Sequence, residues 1–243
     1  MGIKRKMINM ELPLLVDNLL TVDETRKIVD YLESREESDW MANGSDNQYN
    51  KIIDVHSGKN MQGEDYWVGR TIHLPKIKET NNEVPDIMKK WAHGLRKKAM
   101  EHFKLKHLIC DGPHLVRWLP GYELFPHCDQ EEPDGTEHEF PYRDFGSITW
   151  LNNNYTGGQI HYPNLDGYSP EMKVGRSAFH RGTCKHMHGV KEVTSGVRYT
   201  IASFWSAREN PPARVIEIAK EWDMNNNDKI IFQRTKPIPF NRR

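Results

Sequence analysis

Apolar positions in the first part of the chain recur at helical spacing, whereas from 113 to 205 they fall in short runs. Residues 13–34 read PLLVDNLLTVDETRKIVDYLES. Ile28, Val29 and Leu32 form one stripe. Thr21, with Glu24 three residues on, is the side-chain pair that caps a helix N-terminus, so a helix is predicted to start there. The polar stretch 35–50, rich in Asn, Ser, Asp and Gly, predicts loop. KIIDVHS and DYWVGRTIHLP follow as short strand candidates. Over 82–106, Ile87, Trp91, Leu95, Met100 and Phe103 are spaced for one buried face of a long helix.

From 113 onward the segments HLVRWL, LFPHCD, FGSITWLN, GGQIHY, EMKVGRSAFH, HMHGV and VRYTIASFW are bounded by Gly, Pro, Asn or Asp. Many short strands at this spacing predict a sandwich or barrel. The tail has one helix candidate, 212–222, before a polar stretch. No internal repeat or low-complexity linker divides the chain, so one domain is expected over 1–243.

Composition narrows the function classes. Lys plus Arg balances Asp plus Glu at 34 each, so no net field draws the chain to nucleic acid or an anionic membrane, and nucleic acid is disfavoured as a partner. No run approaches the roughly 18 apolar residues of a membrane span, and the basic start MGIKRKMINM lacks the apolar core of a signal peptide. Cys110, Cys128 and Cys184 do not suggest a disulfide framework. A reducing, cytoplasmic setting is the simplest expectation.

The candidate chemistry lies in FPHCD. Residues i and i+2 of a strand share a face, so His127 and Asp129 can enter one cavity while Cys128 points away. One imidazole and one carboxylate suit a divalent ion, and a third ligand would complete a facial triad with open positions for a co-substrate and O₂. His188 is the best candidate, on a short strand that can return beside the first. Strand position alone leaves His161, His180 and His186 open. A structural zinc site competes, but the cysteines lack C-x-x-C spacing. Arg198 opens the apolar strand VRYTIASFW. Buried there it needs an anion, and its planar fork suits a carboxylate. Ser147, Thr149 and Thr200 are candidate hydroxyl donors to the same anion.

The run VRWLPGYELFPHCD, FGSITWLNNNYTGGQIHY, VGRSAFH and HGVKEVTSGVRYTIASFW resembles the Fe(II)/2-oxoglutarate-dependent dioxygenase superfamily, in its prolyl 4-hydroxylase-like branch. The ordered set H-x-D, L-N-x-x-Y-x-G-G, G-x-x-x-x-F, H-G-V and G-x-R-Y carries the resemblance. It implies a mainly β fold with N-terminal helices, namely a double-stranded β-helix (jelly-roll, cupin-like). The core would span 113–206, with supporting helices and strands over 1–112 and a C-terminal extension over 207–243. It implies Fe(II) on His127, Asp129 and His188, and 2-oxoglutarate gripped by Arg198, ten residues beyond His188. Two departures stand out. The branch carries a tyrosine three residues before the first ligand, where this chain has Leu124, with Tyr122 two residues earlier as the candidate to help hold the co-substrate. Ile160 replaces a threonine after the paired Gly157 and Gly158, and His161 and His180 are unusual.

The implied activity is hydroxylation of a C–H bond in a peptide or small-molecule substrate, with O₂ consumed and succinate and CO₂ released. Two alternatives stay open: a family member with different chemistry, such as a demethylase, and a non-catalytic jelly-roll that binds metal or ligand. Finally, the acidic segment 130–144, QEEPDGTEHEFPYRD, follows the first two ligands. Either it is a solvated loop or it is a mobile lid, with Phe140 and Tyr142 as apolar contacts at the cavity mouth.

Overall fold

The computed structural model describes residues 11–40 and 69–222, apart from 137 and 139. The strand candidate KIIDVHS and the polar stretch after 222 lie outside the described residues. The predicted capping box forms: the Thr21 hydroxyl accepts from the Glu24 amide at 3.1 Å, and the Thr21 amide donates to Glu24 Oε2 at 2.8 Å. It starts α1 (Val22–Glu33), which buries Thr25, Ile28, Tyr31 and Leu32. The long helix α3 (Glu83–Phe103) buries Val84, Ile87, Met88, Trp91, Ala92, Leu95 and Ala99, the spacing of a single stripe. Between them, HLP was read as the end of a strand. Among the described residues of that candidate, Thr71–His73 is strand (β2), and α2 (Leu74–Thr80) begins directly after it with proline in its first turn. A proline there removes an N–H that has no intrahelical acceptor anyway, so it permits the helix start.

The remaining strands are β1 (Leu14–Val16), β3 (Ile109–Cys110), β4 (His114–Trp118), β5 (Leu124–His127), β6 (Phe145–Trp150), β7 (Thr156–Gly157), β8 (Ile160–His161), β9 (Ser177–Arg181), β10 (His188–Val190), β11 (Val193–Ser195) and β12 (Arg198–Ser206). A final helix, α4 (Ala213–Glu221), lies against β3. Seven strands form one sheet in the order β1-β9-β6-β12-β4-β2, with β3 also pairing β12. Three more form β5-β10-β8, and β11 pairs β7.

The expected jelly-roll, and with it the mainly β class, is corrected. The fold is mixed α/β, and its three sheets are separate and open rather than joined into a double-stranded β-helix. The strands outside the large sheet run only two to four residues. Two of their pairings shift register, between His188 and Val190 and between Val193 and Ser195. Such shifts break a ladder and bend the strand, so these strands do not join into a second full sheet.

The large sheet has two distinct faces. One packs on the helices through Phe145, Phe179, Tyr199, Ile201 and Trp205. Trp91 of α3 donates its indole N–H to the hydroxyls of Thr149 and Ser177, at 3.0 and 3.2 Å. Alternation along β6 and β12 puts Gly146, Ile148 and Trp150, with Arg198, Thr200, Ala202 and Phe204, on the opposite face. The small sheet β5-β10-β8 contributes to this second side. Val190 joins Val116, Trp118 and Val193 in one apolar cluster.

Candidate active site

His127 and His188 are direct cross-strand partners on β5 and β10, with ring centroids 4.6 Å apart. Asp129 lies two residues beyond His127, its backbone N–H donated to the Gly182 carbonyl. Its Oδ1 faces both imidazoles: His127 Nε2 is 3.6 Å away and His188 Nε2 3.9 Å. One ligand atom from each of the three residues lies within 4.8 Å of the others. The other ring nitrogens are occupied by the backbone: His127 Nδ1 bonds the Phe125 carbonyl at 2.9 Å, and His188 Nδ1 the His186 carbonyl at 3.0 Å. A carbonyl accepts only, so each Nδ1 carries the proton and each Nε2 lone pair turns toward Asp129.

The charge states match a metal site. Burial works against the Asp129 carboxylate, but His188, His127 and His180 outweigh it and hold the carboxyl well below its usual range. Burial, reinforced by His180, keeps His188 neutral by pushing its pKa well down. An ionised carboxylate and neutral imidazoles are the forms that bind a divalent cation.

The other histidines are placed differently. His186 uses both nitrogens structurally: Nδ1 accepts the Arg181 amide at 2.9 Å, and Nε2 bonds the Glu11 carbonyl at 2.6 Å. His161 pairs Gly189, the neighbour of His188 on the opposite face. His180 does belong to the cluster. Its Nε2 stands 3.5 Å from Asp129 Oδ2, the oxygen turned away from the other two histidines.

Arg198 is 1% exposed. Its Nε and Nη2 are buried without a hydrogen-bond partner among the described residues, while Tyr155 hydrogen-bonds the side chain. Burial lowers its pKa, partly opposed by Tyr155. Trp118 lies alongside, its ring centroid 5.4 Å from Cζ. Gly158 makes the room: a Cβ there would stand 2.8 Å from Arg198 Cδ. A buried guanidinium with two unused donors is a site for an anion, and the planar pair suits a carboxylate.

Known proteins bear on this geometry. No protein-family model matches the chain. It is 30% identical to chicken prolyl 3-hydroxylase 1 over 124 residues, 43% of this chain and 16% of that protein. The human protein of the same name is 26% identical over 126 residues, 46% of this chain and again 16% of the relative. The chain therefore spans about a sixth of the length of these curated relatives. Among solved structures, a viral collagen prolyl hydroxylase from Paramecium bursaria Chlorella virus 1, in complex with 2-oxoglutarate, superposes with a TM-score of 0.55. Identity is 14%, covering 83% of this chain and 99% of that one. A Pseudomonas putida prolyl 4-hydroxylase gives 0.53 at 15% identity, covering 81% and 92%. A Trichoplax adhaerens prolyl hydroxylase, solved with a hypoxia-inducible-factor peptide, gives 0.55 at 17%, covering 82% and 85%. At 14–17% identity these solved structures show a fold shared with this chain.

Not every residue expected at the site is there. Thr200 shares the Arg198 face and is buried. Tyr122 packs against the neighbouring apolar cluster, its ring beneath Arg70 at 3.8 Å. Ser147 and Thr149 lie on the helix side of the sheet. Ser147 bonds the Ser203 hydroxyl at 2.8 Å and accepts from Trp205 Nε1 at 3.0 Å, so the sheet itself separates it from Arg198. The contacts expected from Phe140 and Tyr142 at a cavity mouth are corrected too. Both are buried in the main core, with Arg143 over Phe140 at 3.9 Å. Gln130 ties the two ends of that segment, donating to the Pro141 carbonyl and Asp144 Oδ1.

The expectation of unpaired thiols fails as well. Cys128, between the two candidate ligands, is disulfide-bonded to Cys184, with Cα atoms 5.0 Å apart, and Cys110 is free and buried. The reducing, cytoplasmic setting inferred from unpaired cysteines loses its footing with it. Among the described residues, no helix is long and apolar enough to cross a membrane. Sequence reasoning missed Tyr155 as the Arg198 partner and Trp118 as its neighbour. Tyr155 does stand in the L-N-x-x-Y-x-G-G run, which was signal enough to test it.

Proposed function

We propose that this chain is a hydroxylase that uses Fe(II), 2-oxoglutarate and O₂, with His127, Asp129 and His188 as metal ligands. The observation that carries the reading is the pairing of that triad with Arg198 on the same side of the large sheet. Phe204, on the Arg198 face of β12, pairs with Gly146, and a Cβ on Gly146 would stand 2.5 Å from Asp129 Oδ2. A three-ligand site that leaves positions open, beside a buried arginine with no counter-ion among the described residues, fits a metal with a chelating dicarboxylate better than a closed structural ion.

The residues act as holders. His127 Nε2, His188 Nε2 and Asp129 Oδ1 hold the metal, and the backbone carbonyls of Phe125 and His186 fix the two rings. Arg198 Nε and Nη2 take the far carboxylate of 2-oxoglutarate, with Tyr155 steadying the guanidinium and Thr200 beside it. Trp118, Val116, Val190 and Val193 exclude water, which strengthens that ion pair. When bound, Fe(II) with 2-oxoglutarate supplies O₂ activation for C–H hydroxylation, with release of succinate and CO₂. β1 and β2 are built into the same sheet as β12, which supports reading the described residues from β1 to β12 as one domain.

The substrate class is a peptide, with prolyl residues the first to test, since the relatives and the solved structures named above are prolyl hydroxylases. The test is anaerobic loading with Fe(II) and 2-oxoglutarate, then O₂ with a panel of proline-containing peptides and small molecules. Succinate and gain of one oxygen atom by a substrate are the readouts. Succinate with peptide oxidation is expected. Metal and 2-oxoglutarate binding without succinate would instead indicate a non-catalytic binding protein.

A further inference from the structure

We infer that His180, held by Tyr162, is a positioning residue that keeps Asp129 on the metal through one oxygen only. The inference rests on the proposed metal site. Asp129 Oδ1 faces His127 and His188, whereas Oδ2 points to His180 Nε2 at 3.5 Å and makes no hydrogen bond of ordinary geometry among the described residues. His180 is 1% exposed and Asp129 3%, so water does not compete for that oxygen. The Tyr162 hydroxyl lies 3.0 Å from His180 Nδ1 and is itself buried. With the hydroxyl donating to Nδ1, the imidazole proton sits on Nε2 and is aimed at Oδ2. Gly146 completes the arrangement, because a Cβ there would lie 2.5 Å from Oδ2 and 2.6 Å from His180 Nε2.

The consequence is for coordination. A carboxylate free to swing can chelate a metal through both oxygens and so fill a position that an oxo-acid co-substrate needs. A donor on Oδ2 turns that oxygen away and leaves Oδ1 as the ligand, as partners behind a ligand generally do. His180 is thus the middle link of a chain Tyr162–His180–Asp129 and acts through Asp129.

The test uses the full chain, metal-free and then titrated with Mn(II), an oxygen-stable probe whose free ion is counted by EPR. His180→Phe, which keeps the ring volume, should weaken Mn(II) binding about 10- to 100-fold, the usual effect of removing a partner behind a ligand. It should also weaken 2-oxoglutarate binding to the metal-saturated protein. His180→Gln, whose amide reaches Oδ2, should recover most of both losses. Tyr162→Phe should give a smaller loss in the same direction. A Mn(II)-bound structure should show Asp129 bound through Oδ1 alone in the wild type and through both oxygens in His180→Phe. Wild-type Mn(II) affinity in His180→Phe would overturn the inference, as would equal losses in the Phe and Gln variants or a bond from His180 Nε2 to the metal. If the wild type itself binds neither Mn(II) nor 2-oxoglutarate, the proposed function fails instead, and the two failures are distinguishable.

Discussion

A guanidinium held at 1% exposure with two unused N–H donors is a costly residue for a fold to keep unless something anionic arrives. Lysine at 198 would retain charge but lose the fork. Arg198→Lys should weaken 2-oxoglutarate binding on the order of 10- to 100-fold, since hydrogen bonds to charged groups contribute about 1.5–3 kcal/mol. Metal affinity should stay within about twofold, because Arg198 touches no ligand of the triad. Calorimetric titration of both ligands checks this, and unchanged co-substrate affinity in Arg198→Ala would assign the grip elsewhere. The two histidines of HMHGV should separate equally sharply. His188→Ala is expected to abolish stoichiometric metal binding. His186→Ala should keep it while losing about 1–3 kcal/mol of stability, because the Arg181 amide and Glu11 carbonyl lose their buried partner. Metal titration beside denaturant unfolding distinguishes the outcomes. At this scale the H-x-D pair was readable, although Asp129 lies in the bend just past β5 and not in the strand that the alternation assumed. Strand position left His161, His180 and His186 open beside His188, and the H-G-V context picked His188; what sets His186 aside is a contact through space, since the Glu11 carbonyl that occupies it comes from 175 residues away.

The elements that carry the site are very short, and their order has to come from tertiary ties. Cys128 lies between His127 and Asp129, and Cys184 stands in the turn leading to β10. Their bridge joins the two ligand-bearing segments across 56 residues. Closing a loop of that length restricts the unfolded chain by about 4 kcal/mol in the chain-entropy account. Reduction should therefore lower unfolding stability by up to about that amount, read as a shift in denaturant midpoint with and without dithiothreitol. Identical midpoints, with both thiols titrating in the untreated protein, would mean that the bridge does not form. Helices α1 and α3 were legible because a stripe repeated over several turns and a cap marked one start. β7 and β11 were not, because two or three residues contain no period. The first two residues of α2, Leu74 and Pro75, were read as the end of a strand because Pro75 marks a boundary in either reading, and only the packing of Leu74 and Ile77 decides which. The jelly-roll expectation failed for the same reason: strand runs were legible, but the register shifts that keep the small sheets apart were not.

Across the whole molecule, the buried histidines set the response to acid. Burial pushes His114 down to about 3, and burial also lowers His73, its cross-strand partner. Both stay neutral in the fold but ionise near 6.5 when unfolded. Their contribution to stability is thus complete above that pH and is lost as pH falls from about 6.5 toward 3. Asp111 acts in the opposite sense, since burial raises it to about 6 against Arg143. Its protonated form favours the fold, so this part of the stability is lost as pH rises through 6. The metal-free protein should lose stability between pH 6.5 and 4, and His114→Gln should flatten that slope, as unfolding midpoints across the range would show. An equally steep slope in the variant would remove His114 from the account. The measurement that tests the central claim most directly is succinate release by Fe(II)-loaded protein supplied with 2-oxoglutarate, O₂ and a proline-containing peptide panel, in the wild type and in His188→Ala. The account predicts 2-oxoglutarate-dependent succinate in the wild type and none in the variant. Equal release from both, or none from a wild type shown to hold metal and 2-oxoglutarate, would contradict it.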